Sequence, residues 1–306
     1  MAFPRIYQVS IATGDINRSL AFFRDYVGMD IIGDRYITYG DLGQLWDLPS
    51  GTTARSVLLR QRQCSTFLEV LQFHSGTSRT IRDGANNWDY GIFNLGFVVE
   101  NLDSIYKELI SLGHKAFSSP VIYAPMGNEV KEVIIMTPDD VPVVHLDRMT
   151  QNYTEGKARY IRLNHSLVIV EDAERTANFY RDVIGLRETR RERLTGGAVD
   201  TVLALPAGTE SRLHFVAGSD PDQLYLILME LSVKGTSLAP VARPPNRGIF
   251  SITFEVADIV ETLKRAESWG IVPDAGPHLL SGDRHGKVET AVLRCPGGVL
   301  LELIKR

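Results

Sequence analysis

The sequence predicts an α+β fold built from four βαβββ units. The first observation behind this prediction is a tandem duplication, because residues 5–29 lie on residues 162–186 without a gap, an offset of 157 residues. The same offset brings Gly28 onto Gly185. The second observation is that each half contains two stretches in which an apolar strand runs into an amphipathic helix and then into three further strand-like segments.

Local signals place the first strand and helix of each unit. Residues 6–12 have strand composition, and Asp15 is predicted to cap a helix that ends at Gly28. A strand at residues 93–99, followed by a helix that Gly113 closes, repeats the pattern in the second quarter. Each half therefore carries two units.

Chain length and the repeat predict two domains, residues 1–150 and residues 160–306, each with two βαβββ units. A chain of 306 residues exceeds one typical hydrophobic core. Apolar residues make up 44% of the chain and charged residues 23%, which is the composition of an ordinary soluble globular protein.

Charge and hydropathy argue against two classes of partner. The net charge of −4 and the pI near 6.0 provide no basic field for nucleic acid. No apolar run reaches the roughly 18 residues of a membrane span, and the N-terminus lacks a signal-peptide pattern. We therefore expect a cytoplasmic protein with neither nucleic-acid nor membrane partners. Cys64 and Cys295 are far apart and are expected to be free thiols.

Two segments carry a distinctive pattern: residues 179–186, Phe-Tyr-Arg-Asp-Val-Ile-Gly-Leu, and residues 296–303, Pro-Gly-Gly-Val-Leu-Leu-Glu-Leu. With them the chain resembles the vicinal oxygen chelate superfamily, which includes glyoxalase I, bleomycin-resistance proteins and extradiol dioxygenases. The resemblance implies that two modules pair into a cup-shaped open barrel, so that four modules give two cups. It also implies that metal ligands come from the first and last strands of each module.

The positions that match these ligands are all polar in this chain, although a core-facing strand position is normally apolar. The first-strand positions are Gln8, Asn94, His165 and Ser251, and the last-strand positions are Glu69, His145, Glu230 and Glu302. Eight polar residues at such points predict polar cups in both halves of the chain.

Two ways of pairing the modules remain open. If neighbours pair, the C-terminal cup holds His165, Glu230, Ser251 and Glu302, and the N-terminal cup holds Gln8, Glu69, Asn94 and His145. If the inner modules pair, one cup holds His145, His165, Glu230 and Asn94. The predicted metal ligands are therefore His165, Glu230, Glu302 and His145, with His165 and Glu230 common to both alternatives. Such sets suit Fe(II) or Mn(II), or Zn or Ni in a glyoxalase-like enzyme.

The extradiol-dioxygenase resemblance extends to His285, which precedes Pro296 and Glu302 at a fitting distance. It implies a role for His285 as the acid/base near the substrate oxygens. The alternative is an ordinary loop histidine. Val292 and Ser251 depart from that family's pattern, because a tyrosine and a histidine ligand belong at these two positions.

Three functions follow in order of preference. The first is a divalent-metal-dependent extradiol-type dioxygenase that cleaves the ring of an aromatic compound. The second is a glyoxalase- or epimerase-like isomerase or lyase, in which Glu230 or Glu302 moves the proton. The third is a metal-free protein that binds a small molecule or confers resistance. The expected partner is a small aromatic or enediol substrate, and a homo-oligomer is compatible with the sequence.

Overall fold

The computed structural model describes residues 4–74, 79–149, 159–280 and 288–306, apart from the side chains at positions 41, 42, 44 and 126. Sixteen strands lie in these ranges: β1 Arg5–Thr13, β2 Asp30–Ile37, β3 Ala54–Arg60, β4 Phe67–Phe73, β5 Gly91–Val99, β6 Val121–Tyr123, β7 Val130–Met136, β8 Pro142–Arg148, β9 Tyr160–Val170, β10 Arg187–Thr195, β11 Glu210–Ala217, β12 Tyr225–Leu231, β13 Gly248–Glu255, β14 Ala275–Leu280, β15 Val288–Arg294 and β16 Leu300–Lys305. Six α-helices accompany them: α1 Ile16–Leu20, α2 Tyr39–Trp46, α3 Leu102–Ser111, α4 Ala173–Phe179, α5 Ala198–Leu203 and α6 Ile259–Ser268.

The strands form four βαβββ units in chain order, as the sequence predicts. They assemble into two curled eight-stranded sheets, ordered β14-β15-β16-β13-β1-β4-β3-β2 and β10-β11-β12-β9-β5-β8-β7-β6. The first sheet joins units one and four, and we call its concave side the outer cup. The second joins units two and three, and we call its concave side the inner cup. Residues 1–150 and 160–306 thus each contribute one unit to each sheet.

Helix starts confirm the capping pattern read from the repeat. The Asp15 carboxylate accepts hydrogen bonds from the backbone N–H groups of Asn17 and Arg18, and Asp172 accepts one from Arg175 at the equivalent helix. α1 and α4 each continue into a π-helical turn, over Ala21–Tyr26 and Tyr180–Ile184. The extra helices α2 and α5 lie after the second strand of units one and three, so they too follow the duplication.

Alternation along each strand separates a helix side from a cup side. On the helix side, buried residues from all four units form one continuous apolar core, for example Ile11, Leu95, Val168 and Ile252. The two cup sides carry separate apolar clusters. The cups are therefore independent cavities on a shared core. Within the described ranges, no helix has the length and apolar character needed to cross a membrane.

Candidate functional site

The two central strands of each sheet set up matched positions in the two cups. In the outer cup Gln8 on β1 pairs with Thr253 on β13, and in the inner cup His165 on β9 pairs with Gly96 on β5. Both irregularities of the outer ladder also have an equivalent in the inner ladder, which has one more beyond them. The cups are therefore directly comparable, residue by residue.

Glu69 is held in the outer cup by side-chain hydrogen bonds. Its Oε2 accepts hydrogen bonds from Gln8 Nε2 at 2.7 Å and Ser10 Oγ at 3.0 Å, and its Oε1 accepts one from Ser56 Oγ at 2.7 Å. Glu69 is 1% exposed. Because an ionised carboxylate acts only as an acceptor, these three donors hold it in a fixed orientation.

Glu302 supplies a second buried carboxylate to the same cup. It is fully buried on β16, next to Thr253, whose hydroxyl donates to Glu302 Oε2 at 3.2 Å. Between the two glutamates lie buried polar atoms for which the described residues offer no hydrogen-bond partner, namely Gln8 Oε1 and Ser251 Oγ. Buried polar groups are usually paired, so these oxygens indicate a site that takes a further group.

Helix α2 covers the mouth of the outer cup. Trp46 packs edge-on against Phe250 at 5.3 Å and against Phe73 at 6.2 Å between ring centroids. A cavity of about 490 Å³ lies beside it, lined in part by Val292, Arg243 and Arg294. Val292 is the direct cross-strand neighbour of Glu302. The cavity therefore approaches the Glu302 end of the cup.

The inner cup encloses a cavity of about 310 Å³ with mainly apolar walls. Leu167, Phe215 and Met229 line it from the sheet, and Val199 and Val202 of α5 line it from above. Small-molecule sites typically combine such walls with a few well-placed polar groups.

His165 is the principal polar group of the inner cup. Its Nδ1 accepts a hydrogen bond from Asn164 Nδ2 at 3.2 Å, and its ring stacks on Tyr225 at 5.7 Å. The ring lies directly over Gly96, where an added Cβ would come within 2.1 Å of it. Burial, reinforced by the Arg148 guanidinium, lowers the pKa of His165 to about 4, so the imidazole is neutral at pH 7.

Further polar groups line this cavity, among them Tyr123, Glu132 and Asn94. The Tyr123 hydroxyl donates to Glu132 Oε2 at 2.6 Å. Burial raises the pKa of Glu132 to about 7, while the Tyr123 hydrogen bond acts in the opposite direction. Asn94 is fully buried at the cavity floor, and neither polar atom of its amide has a hydrogen-bond partner among the described residues.

Residues 162–303 match the family model described as the Glyoxalase/Bleomycin resistance protein/Dioxygenase superfamily, the vicinal oxygen chelate superfamily. This part of the chain belongs to that superfamily. The likeness in fold extends to the whole chain. Glyoxalase I from Zea mays has a TM-score of 0.66 at 14% identity, covering 99% of this chain and 92% of its own. A candidate dioxygenase from Bacillus subtilis subsp. subtilis str. 168 has a TM-score of 0.60 at 12% identity, covering 98% and 84%. No curated protein matches the sequence significantly.

The vicinal oxygen chelate ligand positions can now be read from strand pairing. In the outer cup they are occupied by Gln8, Glu69, Ser251 and Glu302, and in the inner cup by His165, Ile227, Asn94 and Val144. Of the predicted metal ligands, Glu302 thus lies in the outer cup and His165 in the inner cup. The structure does not bring them together.

His145 lies on the helix side of β8 and not in a cup, although both pairings considered from the sequence placed it in one. Its Nδ1–H donates to the Val143 carbonyl at 3.1 Å, and its Nε2 accepts from the Tyr160 hydroxyl at 2.9 Å. Burial lowers its pKa to about 3. The reason is a one-residue shift in strand pairing. Val144 pairs with Gly96 at the point equivalent to the pair of Glu302 and Thr253, so Val144 is the structural counterpart of Glu302. The constant offset of 157 instead matches Glu302 to His145, which faces the helix side.

Glu230 also lies outside the inner cup, at the start of helix α4. Its Oε2 accepts the backbone N–H of Ala173 at 3.2 Å, as Gln72 Oε1 accepts that of Ile16 at 3.1 Å in unit one. The residue equivalent to Glu69 is Ile227, because Ile227 pairs with Leu167 as Glu69 pairs with Ser10. Glu230 is therefore the counterpart of Gln72 and satisfies an otherwise free helix N–H.

The remaining predictions concern catalysis and metal clustering. His285, the predicted acid/base, lies outside the described residues. No group of three or more His, Cys, Asp and Glu side chains within the described ranges is arranged to hold a metal. The four oxygen donors of the outer cup are not such a group, since two of them are the amide of Gln8 and the hydroxyl of Ser251. Sequence reasoning missed Glu132 and Tyr123 of the inner cup. The signal for Glu132 was the charged pair at residues 131 and 132 within the otherwise apolar run of β7, whereas Tyr123 gave no signal in the sequence.

Proposed function

We propose that this chain is a divalent-metal-dependent isomerase or lyase of the vicinal oxygen chelate superfamily whose active site is the outer cup. One observation carries the proposal: all four ligand positions there bear an oxygen donor, on Gln8, Glu69, Ser251 and Glu302. At the same positions the inner cup has two apolar side chains, Ile227 and Val144. The working site is thus assigned to the modules at the two ends of the sequence.

The donor set fits a hard divalent ion. Gln8 Oε1 and Ser251 Oγ are buried and unpartnered within the described residues, and two buried carboxylates flank them. Carboxylate and amide oxygens suit Mn(II) or Mg(II), whereas Zn and Ni favour at least one imidazole and non-haem Fe(II) typically takes two. Among the metals expected from the sequence, Mn(II) therefore fits best.

The side chains of the outer cup have different roles in the proposed reaction. A bound divalent ion supplies Lewis-acid polarisation of two neighbouring substrate oxygens. Glu69, fixed by three side-chain hydrogen bonds, is suited to hold the ion. Glu302 lies beside the cavity wall at Val292 and is suited to remove a proton from carbon next to a carbonyl. Trp46 and Phe250 exclude water from this end of the cup.

Metal binding tests the site directly. Purified protein supplemented with Mn(II) is expected to retain about one ion per chain after dialysis. Glu302→Gln and Glu69→Gln should each weaken retention by about 100-fold or more, since even outer-shell substitutions cost about 10- to 100-fold. Glu289→Gln is the matched control, because Glu289 is a carboxyl on β15 that lines neither cup.

Two outcomes would contradict the assignment. Absence of stoichiometric metal after supplementation would leave the metal-free binding function. Loss of metal in His165→Ala with normal retention in Glu302→Gln would move the site to the inner cup. For the reaction, deuterium uptake into hydroxyacetone in D2O, dependent on Mn(II) and on Glu302, is the expected sign of proton transfer.

An extradiol-type dioxygenase acting on an aromatic compound is the second candidate. It is favoured by Pro296-Gly297-Gly298 followed by Glu302, with the Glu302 side chain buried on the cup side of β16. This activity uses Fe(II) or Mn(II) and consumes oxygen. Oxygen uptake with a panel of catechols by the iron-loaded or manganese-loaded protein would replace the isomerase proposal, because an isomerase or lyase consumes none.

A further inference from the structure

The inner cup is a second cavity whose chemistry differs from that of the outer cup. It belongs to the other sheet, so a molecule inside it does not share the outer-cup donors. Its volume of about 310 Å³ is at the lower end of small-molecule sites and suits a single substituted ring. Phe215 and Tyr225 pack against each other and provide adjoining aromatic wall surface, and Tyr225 stacks on His165.

His165 presents a hydrogen-bond donor to this cavity. Because its Nδ1 accepts from Asn164, the single proton of the neutral ring is on Nε2. The described residues provide no hydrogen-bond partner for Nε2. Stacking on Tyr225 and the close approach of Gly96 fix the plane of the ring. A ligand oxygen that accepts from Nε2–H would complete the hydrogen bonding of His165.

Glu132 presents an acceptor. Tyr123 donates to Oε2, while Oε1 has no partner among the described residues, and the Glu132 side chain lines the same cavity. Glu132 and Tyr123 lie on β7 and β6, and His165 lies on β9, across the cup. The donor and the acceptor therefore face a common space from different walls.

The charged groups of the cavity select neither sign of ligand. Arg148 and Arg190 line it, and so do Glu129 and Glu192, while burial raises the pKa of Glu132 to about 7. The Arg190 guanidinium packs over the Phe215 ring at 3.8 Å, where it extends the aromatic wall. A charged ligand would lose its hydration in this cavity and would gain no dedicated counter-ion. An uncharged ligand has much less hydration to lose.

We propose that the inner cup binds a small uncharged aromatic compound that carries a hydroxyl donor and a carbonyl acceptor. The hydroxyl donates to Glu132, the carbonyl accepts from His165, and the ring lies against Phe215 and Met229. This site is separate from the proposed outer-cup reaction, so either proposal can fail without the other.

Titration calorimetry with 4-hydroxyacetophenone tests the proposal, with 4-methylacetophenone as a probe of similar size that lacks the donor. The hydroxy compound is expected to bind at one site, and the methyl compound about tenfold more weakly, the loss expected for one hydrogen bond. Glu132→Gln should weaken only the hydroxy compound by about tenfold. This variant keeps an acceptor oxygen for Tyr123, so folding is preserved, and Glu289→Gln should change neither affinity.

Three results would overturn the proposal. They are no saturable binding of 4-hydroxyacetophenone, equal binding of the two probes, and unchanged affinity for the hydroxy compound in folded Glu132→Gln. Titrations repeated with and without Mn(II) should agree, because the metal is proposed for the other cup.

Discussion

The outer and inner cups have the same strand order and the same cross-strand pairs, yet they hold opposite chemistry. Where the outer cup places Gln8 against Thr253, the inner cup places His165 against Gly96. An imidazole is larger than a glutamine amide, and the glycine opposite makes room for it. The comparison shows that the duplicated backbone tolerates a change of site chemistry when the facing residue changes in size.

A second difference concerns buried charge. The outer cup carries Glu69 and Glu302, each at most 1% exposed, where the inner cup carries Ile227 and Val144. Burying a carboxylate costs several kcal/mol unless its environment compensates. Two such groups are retained in one cup of a fold that elsewhere accepts apolar residues at the same points. This contrast favours function, and not stability, as the reason for the glutamates.

The largest expected effect that distinguishes the cups is on acid stability. The pKa of His165 is lowered to about 4, against an ordinary value of about 6.5, so the unfolded chain takes up this proton first. Its contribution to the free energy of unfolding is therefore complete above pH 6.5 and is lost as pH falls towards 4. A shift of this size corresponds to about 3 kcal/mol.

His165→Gln, which installs the outer-cup residue, should remove that loss. Urea denaturation at pH 7 and pH 4 is expected to show about 3 kcal/mol more destabilisation in the wild type than in the variant. His145 also titrates with a lowered pKa, but it is present in both proteins and cancels. Equal losses in the two proteins would show that the imidazole is not buried as a neutral group.

Gly96→Ala is expected to have the next largest effect. A Cβ at this position would lie 2.1 Å from Cε1 of His165, so the ring or the strand must move, at a cost of about 2 kcal/mol. Gly33→Ala is a matched strand control, since its nearest neighbour would be Leu58 Cβ at 3.7 Å. Equal unfolding free energies for the two variants would contradict the packing described here, and adding His165→Gln should rescue Gly96→Ala.

The same comparison explains what the sequence predicts well and what it does not. The βαβββ units and their helix caps at Asp15 and Asp172 follow from periodicity and capping chemistry, which are local. The ligand sets do not, because a shift of one residue between β5 and β8 turns His145 to the helix side. The pairing of units one and four is a long-range choice that local patterns leave open.

Glu230→Ala tests the helix-start role inferred for that residue. Removing the acceptor of the Ala173 N–H should lower the unfolding free energy by about 1 kcal/mol, as loss of a helix cap does. Gln72→Ala should have a similar effect, since Gln72 accepts from Ile16 in the same way. Neither change is expected to alter Mn(II) retention. Loss of metal in Glu230→Ala would restore Glu230 to the ligand set predicted from the sequence.

The smallest expected effect is that of Asn94→Leu at the floor of the inner cup. The Asn94 amide is fully buried and makes no hydrogen bond with the described residues, so an apolar side chain of similar size removes a desolvation cost without losing a bond. The unfolding free energy should stay the same or rise by up to about 1 kcal/mol, measured by urea denaturation. At the equivalent outer-cup position, Ser251→Ala should instead leave stability unchanged and weaken Mn(II) retention. A marked loss of stability in Asn94→Leu would mean that the inner cup depends on this amide for folding. It would contradict the description of the inner cup as a cavity whose buried amide is left without a partner.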